Sequence, residues 1–556
     1  MQIAFINSPI GGSSSRRSSV PIGLSYIMSF LRSNGIPTSG YDFGDSTRTP
    51  EELVETYDLL RYDLIGFSVY NESFYSTIRM AEKIKACRPD VFLFCGGPQA
   101  TAMHDAIVRD FPSIDAVVRR EGEYPALALV KALQAHSPLS TVPSLTWRRE
   151  GAVVANQECP PVEDLDSLPF PDAHFESERP YEGLSFFDRT NRKLRPAIAI
   201  GSSRSCPYNC SFCGVLTIGR KYRARSPQSV VNELTYFRSR DDLDYTHVYF
   251  SDANFFVQSQ RALAIVQALH AYDERVSFSF GTRVNQLLKA ETIVRAMIPL
   301  GLAFVEIGVE SASPDVLRRL SKGVGPEVNV AATRMLRRLG VEIALDFIMV
   351  DPATTLRDLM DNLVFLRQNG FADYYPADHL YTSLGLYEGT PIRGYFEERL
   401  GKRFKLGELP EIGALIESPD VKTFWTQTRS FQATYQGQID RALAGAEFML
   451  LDEGVCDVLK SRRGPDFQRL AQLQLDAVAL RHSPTVFFEG LVERLAADDS
   501  LGFAEGTGRL EYGAPPAPLQ SLIDRVVATT VDIERSGKYD IARLRQELTP
   551  SAGLLR

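Results

Sequence analysis

Cys206, Cys210 and Cys213 lie within one short stretch, Ser205-Cys206-Pro207-Tyr208-Asn209-Cys210-Ser211-Phe212-Cys213-Gly214. Three thiolates this close on one turn can converge on a single metal centre. A structural zinc would need a fourth Cys or His nearby. The next histidine downstream is His247, and Cys87, Cys95, Cys159 and Cys456 are scattered. Three ligands without a fourth suit an iron–sulfur cluster whose remaining iron is left open for a substrate. Two plainer readings stand beside it: a buried trio of reduced thiols, and a zinc knuckle completed by a distant histidine. A set of three cannot pair off internally as disulfides.

The elements that must position this loop read as strand–helix units over residues 195–394. Residues 197–200 form a first strand, so the cysteines fall at its carboxyl end, where barrel folds carry their chemistry. Later strands are expected at 246–251, 276–281, 304–309, 343–350 and 380–386. They end in Asp252-Ala253-Asn254, Thr282-Arg283, Glu310-Ser311, Asp351-Pro352 and Glu388-Gly389-Thr390-Pro391. Six units make a partial, open barrel whose polar strand ends share one mouth.

Residues 1–140 predict a second α/β unit. Short apolar strands at 2–8, 38–43, 63–69, 91–95 and 116–119 alternate with helices at 22–33, 50–59, 74–87, 103–110 and 124–135. That alternation predicts a parallel, Rossmann-like sheet covered on both faces. Ligands then sit past the carboxyl ends of the strands. The loops there are Ser8-Pro9-Ile10, Ser68-Val69-Tyr70-Asn71, Gly96-Gly97-Pro98-Gln99 and Glu121-Gly122-Glu123. No Gly-x-Gly-x-x-Gly opens the first helix, which argues against a dinucleotide.

Residues 141–194 read as a linker: a hairpin at 144–156, then a proline-rich extended run containing His174. Residues 395–556 are dominated by helical patterns and predict a cap over the mouth. The chain has 556 residues, enough for about two to four domains. A net charge of −8 argues against a general nucleic-acid binder. The basic run from Arg220 to Arg225 is either a solvated strip or a seat for an anionic cofactor group. No apolar run reaches membrane-spanning length, and no signal peptide leads the chain. The cysteine usage fits a reducing compartment, the cytoplasm.

The cysteine loop, with Phe212 before the third cysteine, resembles that of the radical S-adenosylmethionine (SAM) enzymes. So do the segments around Asp252, Glu310 and Glu388. The resemblance implies a 4Fe–4S cluster on Cys206, Cys210 and Cys213, with SAM chelated to the open iron and cleaved to a 5′-deoxyadenosyl radical. It also implies SAM contacts from Phe212, Glu310 and Ser311. Arg283 would meet the SAM carboxylate through a forked guanidinium pair. The front loops resemble the cobalamin-binding domain of one radical SAM subclass. That implies cobalamin contacts from Ser8, Pro9, Ser68, Tyr70, Gly96, Gly97, Pro98, Gln99, Glu121, Gly122 and Glu123. The Asp-x-His-x-x-Gly motif that ligates cobalt elsewhere is missing, as is common in this subclass. The residue after Gly-Gly-Pro is Gln99, where a histidine is frequent.

The expected activity is methylation of an unactivated carbon, or of phosphorus, on a small molecule of secondary metabolism. The cluster would be reduced by an external donor such as flavodoxin or ferredoxin. Cyclisation, ring contraction or rearrangement without methyl transfer is the alternative. A non-catalytic metal-binding sensor is the reading from another class.

Overall fold

The computed structural model describes residues 1–10, 21–171, 175–177, 184–188, 193–219, 221–240, 245–372, 377–451, 453–462, 466–496 and 517–535. Residues 11–19, His174 and Arg220 lie outside these.

The front unit is a sheet of seven strands, ordered β2-β1-β3-β4-β5-β6-β7. They are β1 (Ile3–Asn7), β2 (Ser39–Asp42), β3 (Leu64–Ser68), β4 (Phe92–Gly96), β5 (Ala116–Val118), β6 (Leu145–Arg149) and β7 (Ala152–Ala155). The first five are parallel; β6 and β7 add an antiparallel hairpin. Both faces are covered, so the central strands are apolar throughout rather than alternating. Ala4 and Ile6 of β1 pack into the core on one face; Ile3 and Phe5 pack into the core on the other. The helix expected at 103–110 forms over His104–Asp110 and is preceded by a short helix, Pro98–Ala102, that was not expected.

The second sheet has the order β15-β14-β13-β12-β9-β8. It comprises β8 (Leu184–Asp188), β9 (Lys193–Ile200), β12 (His247–Phe250), β13 (Ser277–Arg283), β14 (Leu302–Glu310) and β15 (Glu342–Phe347). A small ribbon of β10 (Ser203–Arg204) and β11 (Arg223–Ala224) frames the cysteine loop. Strands β9 to β15 of this sheet run parallel, and β8 is antiparallel at the edge. The sixth expected strand does not form as one. Residues 378–380 are a short 3-10 turn, and the segment touches the barrel through a single bridge, Val350 with Ser383. The segment expected as a linker thus extends both sheets, giving β6 and β7 to one and β8 to the other.

Alternate barrel residues face opposite ways, as the strand period requires. Phe278, Phe280, Val305, Ile307, Val309 and Ile343 pack outward against helices in the largest core. Several of the intervening residues, such as Ser277, Ser279 and Glu306, are polar and bond across the strands. His247 bonds to Ser277 and Ser279, both at 2.8 Å, and the Tyr249 hydroxyl donates to Glu306 at 3.0 Å.

The described tail is helical, including Pro419–Phe431, Gly437–Leu451, the 30-residue Phe467–Ala496 and Ala517–Arg535. It packs along the last barrel helix, Leu356–Gln368. Thr485 donates to the Ala372 carbonyl at 2.9 Å, and Phe488 meets Tyr381 edge-on. Among the described residues, none beyond Glu388 lines the cleft between the two sheets; the described tail helices pack on the barrel's flank.

Candidate cluster and cofactor site

The cysteine loop hangs between β10 and the short helix Val215–Ile218. Its conformation is held from outside. The Ser211 amide donates to the Leu320 carbonyl at 2.9 Å and its hydroxyl to the Arg319 carbonyl at 2.9 Å, while the Ile392 amide donates back to Ser211. Ser205, just ahead of Cys206, is left-handed at φ 67°. A non-glycine residue held there marks a backbone whose surroundings over-determine it.

Two of the thiols have a polar side chain beside them. Arg283 Nη1 lies 2.7 Å from Cys210 Sγ, and its guanidinium sits over the Tyr208 ring. Asn254 Nδ2 lies 3.9 Å from Cys206 Sγ, and its Oδ1 accepts from Thr282 at 2.8 Å. Burial pushes the Cys213 thiol up, and Cys210 and Cys206 beside it push the same way. Three neighbouring thiolates therefore need a cation to be stable together. Among the described residues, no three His, Cys, Asp or Glu side chains converge on a single ion. The trio, with no fourth Cys or His in its loop, suits a cluster with one open iron.

Next to the thiols, Glu310 ends β14 at φ 64°, where the pairing with β15 shifts register. The bulge turns its carboxylate inward onto Lys322 Nζ at 2.7 Å, a buried pair. Lys322 Nζ also lies 5.9 Å from the Phe212 ring centre. Gly308 makes room for this pair: a Cβ would come within 2.7 Å of both Glu310 Oε1 and Lys322 Nζ and push the two side-chain ends aside. Ser311 is fully buried and its hydroxyl donates to Asn362 at 2.8 Å, so that hydroxyl is already committed within the barrel wall. Glu310, Phe212 and Arg283 are gathered around the cysteine loop; the Ser311 hydroxyl is not offered to a ligand. Lys322 had no signal in the sequence beyond being a lone lysine in Ser321-Lys322-Gly323.

Between the two sheets opens a cleft of about 980 Å³. Its barrel wall includes Ser205, Gly214 and Val215, the two ends of the cysteine loop. Its front wall includes Ser68, Tyr70, Gly96, Gly97, Pro98, Gln99, Glu121, Gly122 and Glu123. Ser8 and Pro9 are buried beneath the surface, and Ile10 is the wall residue of that loop. Gly97 sits at φ 99°, and a Cβ there would meet the Val69 carbonyl at 3.0 Å. Glycine thereby lets this loop turn closely against the Val69 backbone at the edge of the cleft. Asn71 Oδ1 is buried in this wall without a partner. A glycine-lined, largely apolar cleft with an orphaned acceptor fits a large amide-bearing cofactor.

Glu121 and Glu123 also do something the sequence did not reveal: they bind the barrel. Arg223 Nη2 and Nη1 grip Glu121 at 2.6 and 2.9 Å, and Arg204 reaches Glu123 at 2.6 Å. Arg225 is buried against Glu233, whose carboxylate also faces the Tyr26 hydroxyl of the front unit at 3.4 Å. The basic run is thus neither a solvated strip nor a free seat. Arg223 and Arg225, two apart and on one side of the ribbon, clamp the units together, and among the described residues of the run only Lys221 is exposed, paired with Glu163. The available signal was that spacing of two, the strand period.

The site and fold together define a radical SAM enzyme preceded by a cobalamin-type domain. Residues 200–366 match the radical SAM superfamily and residues 10–130 the B12 binding domain. The chain thus carries a radical SAM domain behind a B12-binding domain; 4Fe–4S, SAM and cobalamin are the cofactors these domains imply. It is 27% identical over 356 residues to an uncharacterized methyltransferase of Pyrococcus horikoshii, covering 63% of this chain and 73% of that one. Anaerobic magnesium-protoporphyrin IX monomethyl ester cyclase of Rubrivivax gelatinosus is 26% identical, covering 63% and 62%. Hopanoid C-3 methylase of Methylococcus capsulatus is 27% identical, covering 60% and 61%. The chain therefore spans a little under two thirds of the latter two. The solved cobalamin-dependent radical enzyme OxsB, with aqua-cobalamin bound, shares the fold at TM-score 0.64 and 16% identity, over 97% of this chain and 84% of that one. No helix among the described residues is long and apolar enough to cross a membrane.

Proposed function

We propose that the protein methylates an unactivated carbon, or phosphorus, of a small molecule in the cleft between its two sheets. One observation carries this reading. The ends of the cysteine loop and the glycine-rich loops of the front sheet are opposite walls of the same cavity. When bound, the cluster with SAM supplies a radical able to abstract hydrogen, and cobalamin supplies a transferable methyl group. The chain positions these groups. Cys206, Cys210 and Cys213 would hold the cluster, and Arg283 balances charge at Cys210. Phe212, Glu310 and Lys322 border the SAM side. Gly96, Gly97, Pro98 and Gln99, with the Tyr70 loop, would hold the corrin side. The ion pairs of Glu121 and Glu123 fix the spacing between the walls, and so the distance over which the methyl group travels. A small flavodoxin or ferredoxin would deliver electrons.

The test is an anaerobic assay of cluster- and cobalamin-loaded protein with methyl-labelled SAM. Label in a product heavier by one CH2 supports methyl transfer. Consumption of substrate with deoxyadenosine formed but no label incorporated would move the assignment to cyclisation or rearrangement. The similarity to the Rubrivivax gelatinosus cyclase is the observation that favours that second reading.

A further inference from the structure

A second cavity of about 530 Å³ lies on the far side of helix Val215–Ile218 from the cofactor cleft. Its walls come from the front unit, the connecting segment and the barrel, among them His104, Arg119, Arg120, Glu158, Cys159 and Thr217. The charges there do not balance. Lys221 and Arg223 on its rim are already matched by Glu163 and Glu121. Arg119 and Arg120 share one carboxylate: both reach the same oxygen, Glu158 Oε1, at 3.2 Å. One positive charge is left over.

Arg119 is only 7% exposed, and its Nε has no hydrogen-bond partner. A buried guanidinium N–H without an acceptor is costly unless something else supplies one. His104 points to the same imbalance: burial, and then Arg119 beside it, hold its imidazole below the ordinary range. Arg120 is itself held in place, left-handed at φ 67°, with Nη1 donating to the Thr217 carbonyl at 2.9 Å.

We propose that this chamber is an anion site, taking a phosphate group carried by a small molecule other than cobalamin or SAM. Two guanidiniums sharing a single carboxylate leave the net positive charge that suits a phosphate, and Arg119, whose Nε finds no acceptor in the wall, adds to that charge. The group bound there would rest against the helix that follows Cys213, one wall away from the cofactor cleft.

Calorimetry with inorganic phosphate, on holoenzyme loaded with cluster and cobalamin, tests this. Saturable binding is expected. Arg119→Met should weaken it by about tenfold or more, the loss of a charge-assisted hydrogen bond. Glu158→Gln removes the competing carboxylate and should tighten it, which guards against an Arg119 variant that merely unfolds. Absence of binding to the wild type, or affinity unmoved by both substitutions, overturns the proposal. A third arm tests the cobalamin phosphodiester as the source. If only cobalamin-free protein binds phosphate, and Arg119→Met weakens cobalamin but not cobinamide, the site belongs to the cofactor and the proposal fails.

Discussion

The two walls of the cofactor cleft are built on opposite plans. The barrel wall is crowded. Around the cysteines the charged side chains are paired: Arg283 with Cys210, Glu310 with Lys322, Asp252 with the hydroxyls of Ser202 and Ser203, although Arg283 Nε and Arg261 Nη1 are left without partners. The front wall is sparse, with glycines and the partnerless Asn71. The contrast follows from what each must hold. Thiols that bind a small inorganic cluster need their directions fixed beforehand. A large organic ring needs side chains kept out of its way, with a few acceptors left unsatisfied. Glu121 and Glu123 belong to the sparse wall by sequence and to the crowded one by bonding.

The contrast can be broken most severely at the cysteines. Replacing any one of Cys206, Cys210 or Cys213 by Ala should reduce cluster iron to background and abolish deoxyadenosine formation, read by iron analysis and product chromatography. Unchanged iron in the triple variant would remove the crowded wall's purpose.

Next comes the clamp. Arg223→Met leaves the buried Glu121 carboxylate with only the Val162 amide and the more distant Arg204, and should cost up to about 3 kcal/mol in chemical denaturation. Cobalamin affinity should fall with it, because the walls are no longer held at a fixed spacing. A variant that keeps its stability would show that the clamp does not join the units.

A smaller effect is expected on the sparse wall. Gly97→Ala forces a side chain into a backbone conformation at φ 99° and against the Val69 carbonyl. It should cost about 1–3 kcal/mol and weaken cobalamin binding, with iron content unchanged. Loss of iron as well would mean the two walls are not separable.

The smallest effect sharpens the picture of the barrel interior. Asp346 is pushed up to about 8, by burial first and then by Glu306 and Glu310. Its side chain is also open to solvent along the lumen, which softens the burial effect and leaves the two carboxylates as its main neighbours. The native state therefore keeps a proton that the unfolded chain releases near pH 3.8. That contribution to stability is complete below about 4 and is lost as pH rises toward 8. Asp346→Asn should flatten this decline in melting temperature across the interval; an unchanged slope would place the titration elsewhere.

Much of this was legible in the sequence where the cause is local. The cysteine spacing, the apolar strands of the front sheet and the polar residues at barrel strand ends are set by neighbours in the chain. The failures are as instructive. The sixth barrel strand was expected from an apolar run at 380–386, but Tyr381 and Leu384 serve the tail and the barrel edge instead of a ladder. The tail reads as helical from its periodicity, yet periodicity says nothing of which surface a helix covers.

By itself the sequence determined which residues could meet a metal, and that two α/β units would be made, because thiol chemistry and strand period act over a few residues. Only the tertiary structure decided what Glu121 binds, since its partner Arg223 lies 102 residues away. It also decided that Arg119 keeps an unmatched N–H. Charge pairing between distant segments depends on how the sheets meet, and no local pattern carries that geometry.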